Sequence, residues 1–159
     1  MGFAELWVES YQGEVLGETF FGLLAERETD LVHRNQLEIL KVLEHETRLL
    51  AEPVFARNGM DMGDTEASVS IGRQLADGFE TLSWDDFLGS IEPVTAQFLA
   101  KYRELVGLCV DPADRRVAES YVAHEEALAS FARRAMDKEE GEPLEPILAL
   151  PHVRAKVSG

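Results

Sequence analysis

Cysteine is almost missing from this sequence: Cys109 is the only one in 159 residues. A single thiol excludes a disulfide framework and a thiolate metal cluster, and it reads as a small buried hydrophobe at a helix end. Basic residues are also scarce, with 15 Lys and Arg against 30 Asp and Glu, a formal net charge of −15. Nucleic acid and anionic membrane both require basic patches, so neither is expected as a partner. No apolar run reaches membrane-spanning length. Glu5, Glu9 and Glu14 interrupt the first residues where a leader would carry its apolar core, so a soluble, cytoplasmic protein is expected. Phosphate-cradling glycine loops, the dinucleotide fingerprint, Gly-x-Ser-x-Gly and His-Glu-x-x-His on a helix are all absent.

What the sequence has is helical periodicity. Apolar content is that of a globular chain, and the length suits one helical domain, residues 1–159. Long helices are expected over about 3–28, 31–58, 83–109 and 112–140, with a short helix over about 65–78 crossing between two hairpins. Asp30, Ser83 with Asp86, and Asp111 followed by Pro112 are start signals, and Asn58-Gly59 is a stop. Pro93 predicts a break or kink around residues 90–92. The tail, 141–159, holds Pro143, Pro146 and Pro151 and reads as a turn or strap.

The second of these helices carries the chemistry. Leu37, Leu40, Glu44, Thr47, Ala51 and Val54 share one stripe, apolar at both ends with a carboxylate and a hydroxyl between. A charge on a core-facing stripe must be paired, protonated or bound to a metal. The connection at Thr29-Asp30 is short enough to turn the chain straight back, which puts Glu18 and Glu44 at nearly the same depth. On the last long helix, His124 lies on an apolar seam between Tyr121 and Leu128, with Glu125 beside it. The other histidines fall elsewhere: His33 in a first turn, His45 off the Glu44 stripe, His152 in the tail.

Four long helices with a mid-chain crossover, carrying acids and a histidine at mid-height, resemble the ferritin-like superfamily. That resemblance implies an all-α, antiparallel four-helix bundle with iron or manganese in its core, held by Glu and Glu-x-x-His ligands. Glu18 matches the first-helix Glu and Glu44 the second, while Thr47 occupies the place of the ligand histidine. Glu92 is a looser match on the third helix, and no Glu-x-x-His occurs anywhere in the chain. The candidate metal ligands are therefore Glu18, Glu44, His124 and Glu125, with Glu14, Thr47, Glu92 and Tyr121 around them.

Three readings stay open. The residues form a reduced site for one metal ion or an atypical pair; or they form a metal-free polar network that sets helix register or lines a small-molecule cavity; or the chain is a helical interaction module. Whether it is an enzyme is also left open, a metal-dependent oxidoreductase being the form expected over a hydrolase. A homodimer is expected from frequency and from the surface glycines and aromatics.

Overall fold

Local capping sets where the helices begin. Asp30 accepts hydrogen bonds from the Val32 and His33 amides at 2.9 and 3.0 Å. Ser83 and Asp86 satisfy each other's backbone amides at 3.1 and 3.2 Å. Asp111 accepts from the Ala113 amide at 2.7 Å, with Pro112 in the first position where no donor is needed. In the computed structural model, which describes residues 1–137 and 141–157, the described residues form seven helices. They are α1 (Phe3–Arg27), α2 (Leu31–Asn58), α3 (Glu66–Gly78), α4 (Trp84–Leu108), α5 (Pro112–Met136), α6 (Glu145–Leu148) and α7 (Pro151–Val157). No helix among the described residues is long and apolar enough to cross a membrane.

Several details differ from the expectation. The final long helix stops at Met136, with Asp137 as its C-cap, and residues 138–140 of the expected span lie outside the described residues. The tail is more than a strap, because Pro146 and Pro151 sit in the first turns of α6 and α7, where a missing amide hydrogen removes no bond. α4 runs through Pro93 without a break. Its neighbours Ser90 and Thr95 turn their hydroxyls onto the carbonyls of Phe87 and Glu92.

The helices pack into a bundle. Along α1 and α2 the contacts run in opposite senses: Tyr11 meets Phe55, Glu18 meets Arg48, and Gly22 meets Lys41. Along α4 and α5, Glu92 meets Arg133 and Tyr102 meets Tyr121. α3 lies on the outside of α1 and runs with it, Ser68 meeting Gln12 and Asp77 meeting Arg27. At the middle of this contact a Cβ on Gly72 would stand 2.8 Å from the Leu16 carbonyl oxygen, so only glycine permits the approach.

The core is divided at mid-height. One apolar cluster takes Phe21, Leu40, Leu43, Phe87, Ile91, Leu128 and Phe131; the other takes Trp7, Tyr11, Val54, Phe55, Tyr102, Leu105 and Tyr121. Where the two clusters meet, the long helices bury a set of polar residues: Glu14, Glu44 and Thr47, Thr95, and His124 with Glu125. The folded chain thus contains a polar layer sandwiched by two oily ones.

Candidate functional site

The layer starts from α1. Trp7, Tyr11 and Glu14 fall on one helical stripe that continues to Phe21, so the helix that buries its aromatics also buries Glu14. Glu14 is 1% exposed and His124 is not exposed at all. The Tyr102 hydroxyl donates to Glu14 Oε1 at 3.1 Å, but Oε2 of the same carboxylate has no hydrogen-bond partner.

His124 is held from behind. Its Nδ1 lies 2.9 Å from Thr47 Oγ1, and that hydroxyl lies 2.9 Å from Nε2 of His152 on α7. Burial, with His124 nearby, depresses His152 to a pKa of about 4, so its ring is neutral and can accept a hydrogen bond. Two proton arrangements satisfy both contacts: His124 Nδ1–H donates to Thr47, whose hydroxyl donates to His152, or His152 Nε2–H donates to Thr47, whose hydroxyl donates to His124 Nδ1. The first leaves His124 Nε2 a lone pair, the form that a metal ion would take; the second places a hydrogen there, facing the carboxyls. His124 Nε2 has no hydrogen-bond partner and stands 3.6 Å from both Glu44 Oε1 and Glu125 Oε1.

The spacing suits a shared cation. Nitrogen and oxygen atoms each about 2.1 Å from one ion are about 3.0–3.6 Å apart at bond angles of roughly 90–120°. Glu14, His124 and Glu125 each offer one ligand atom, all within 4.8 Å of one another, and this buried group could hold a metal ion. Glu44 adds a carboxylate from the α2 side. Burial also shifts the acidities of the site. Burial, with Glu44 adjacent, pushes Glu14 well above the usual carboxylate range. Glu44 and Glu125 are raised to about 8, chiefly by burial. Without a cation these carboxyls keep protons at neutral pH; a metal ion would displace them.

Sequence-derived candidates separate into two groups here. Glu44, His124, Glu125, Thr47 and Tyr121 come together with Glu14. Glu18 does not: it is a quarter exposed and pairs with His45 at 2.8 Å and Arg48 at 3.2 Å. The depth inferred for it holds, since its neighbour Gly17 faces Glu44, but one residue along a helix is about 100° of rotation. Glu92 is exposed and bound to Arg133. His124 and Glu125 are adjacent on α5 and so point about 100° apart, yet the long glutamate side chain brings its Oε1 to 3.6 Å from His124 Nε2. Tyr102 and His152 had been passed over. Tyr102 could have been noticed as a polar-tipped ring on the α4 seam; the docking of His152 has no local signal.

The chain matches no family model, no curated protein and no solved structure. What the arrangement can do therefore rests on its own atoms: acidic and imidazole ligands around a common point, or a buried network that stores protons.

Proposed function

We propose that this protein is a ferritin-like antiparallel four-helix bundle that binds a transition-metal ion, iron or manganese, in its polar layer. The observation that carries the reading is His124 Nε2: a fully buried ring nitrogen, without a hydrogen-bond partner, 3.6 Å from an oxygen of each of two carboxyls. Glu14, Glu125 and His124 would hold the ion, with Glu44 completing the carboxylate set. The mixture of hard oxygen donors and one imidazole suits iron(II) or manganese(II). Thr47 and His152 hold the imidazole from behind; with the hydrogen on Nδ1 they would present Nε2 to the ion, the usual service of groups behind a metal ligand. The order of contacts supports the bundle type: α1 opposes α2 and α4, and α5 opposes α2 and α4, as a crossover through α3 requires.

A redox-active ion with free coordination positions would supply electron transfer to or from oxygen-containing substrates. The protein's own contribution is the packed surround: apolar clusters above and below the layer hold the helices that carry the ligand side chains. A second reading, a metal-free polar network, is favoured by the raised pKa values of Glu44 and Glu125, since neutral carboxyls need no counter-ion. Elemental analysis separates the two. Protein expressed with added iron and manganese and purified without chelators should carry near-stoichiometric metal, lost in His124→Ala while the helical circular dichroism remains. Wild-type protein with metal no higher than background would overturn the metal reading and leave the network.

A further inference from the structure

The polar layer is not sealed. A cavity of about 180 Å³ opens between α1, α3 and α4. Its walls are apolar, with Phe20, Phe79 and Phe98 among them, and its rim carries Leu75 and Val94, which are 45% and 50% exposed. Its inner lining includes Glu14, Glu44 and Glu125, the carboxylates of the layer. Glu14 Oε2, buried and with no hydrogen-bond donor in reach unless Glu44 is protonated, belongs to that inner end. The two glycines of α1 that face this region, Gly13 and Gly17, leave space that any side chain would fill: a Cβ would come within 3.1 Å of Phe98 and 2.6 Å of Glu44.

Size and charge together narrow the occupant. An apolar cavity of about 150 Å³ is enough to take benzene. A space of about 180 Å³ therefore fits a single ring or a short branched chain with one small substituent. Among the described residues no Lys, Arg or His lines the cavity while three acids do, so the lining offers an anion no cation to pair with, and offers an amine three carboxyls to accept from its N–H groups. Solvation alone would leave the acids indifferent to an apolar ligand; a nitrogen donor gives them a partner.

We infer that this cavity is a binding site for a small, mainly apolar primary amine, its hydrocarbon body against the Phe20–Phe98 walls and its nitrogen at Glu14, Glu44 and Glu125. The inference deepens the metal reading, because the same carboxylates would place the amine beside the ion, as the substrate or ligand of that centre. In a metal-free protein the ammonium group takes the place of the missing cation.

The test uses benzylamine, with toluene as the matched ligand lacking nitrogen, titrated calorimetrically into the full chain after chelator treatment. Benzylamine should bind saturably, and toluene about tenfold more weakly or worse. Val94→Trp and Leu75→Trp, both at the exposed rim, should each weaken benzylamine about tenfold or more while helical content stays unchanged. Two rim positions on different helices guard against one substitution failing to fold. No benzylamine binding by wild type, equal binding of toluene, or unchanged affinity in both rim variants would overturn the inference. Metal content of the untreated protein is read separately, so a metal-free protein that binds benzylamine sinks the metal reading alone, and a metalloprotein that ignores benzylamine sinks this one alone.

Discussion

Gly17→Ala puts the geometry of the polar layer under direct strain. The added methyl would stand 2.6 Å from the Glu44 carboxyl carbon and 2.8 and 2.9 Å from its two oxygens. Ordinary carbon contacts are about 3.5–4.0 Å, so the carboxyl must retreat by about 1 Å. The adjoining cavity gives it somewhere to go. Forced repacking of this kind costs about 1–3 kcal/mol, and the exchange of glycine for alanine inside a helix returns about 1 kcal/mol. The net loss is then about 0–2 kcal/mol, a fall in Tm of no more than about 8 °C for a chain of this size. A metal site tolerates much less: ligand distances hold to within about 0.2 Å, and misplaced support typically costs about 10–100-fold in affinity. The expected variant is therefore a well-folded protein with a poor site. Melting by circular dichroism in chelator and competition titration with iron(II) or manganese(II) measure the two halves. Gly22→Ala is the control on the same helix, since its methyl would meet only the flexible end of Lys41 and leave metal affinity intact. Wild-type metal affinity in Gly17→Ala would refute the reasoning, as would a loss of Tm well beyond about 10 °C in the metal-free protein.

Three other perturbations probe the same layer. Glu18→Gln should leave metal stoichiometry unchanged in elemental analysis and shift stability by under about 1 kcal/mol, because its pairing with Arg48 is partly solvated; lost metal would place it in the coordination shell after all. His152→Ala should weaken metal binding about 10–100-fold in a competition titration without lowering stoichiometry at saturation, and unchanged affinity would detach α7 from the site. The metal-free protein should lose stability as pH rises from 6.5 to 8. Glu44 and Glu125 ionise near 4.5 when unfolded but near 8 when folded, so the folded state holds more protons in that interval and rising pH favours unfolding. His152 acts in the opposite direction only between about 4 and 6.5. Tm measured in chelator should fall across pH 6.5–8, more gently in Glu44→Gln; a flat or rising Tm in the wild type would contradict the assignment.

Helix starts were legible because capping is local: Asp30, Ser83 and Asp111 each act on amides two or three residues away. Glu44 and His124 were legible as polar residues interrupting apolar stripes. The face of α1 was not, because its buried stripe itself contains Ser10, Glu14 and Gly22 and so blurs the apolar pattern that would mark it. Extending the Trp7–Tyr11 spacing by three residues leads to Glu14, and that was the signal available. The depth argument found the right level and the wrong neighbour. His152 was beyond any periodicity, since nothing within α7 says which helix it will touch.

The contact between Thr47 and His152 spans 105 residues, which gives the polar layer a history as well as a place. At a synthesis rate of about 5–20 residues per second, Thr47 is made about 5–20 s before its partner. Until α4 and α5 have followed, the first hairpin can form but Glu14 and Glu44 have neither His124 nor the second hairpin to cover them. Left open to water, their carboxyls lose the burial that raises their pKa in the finished fold, and acids charged in this way keep a half-made chain soluble. The groups that become the least soluble-looking feature of the finished interior are, during birth, what keeps the nascent chain apart from its neighbours.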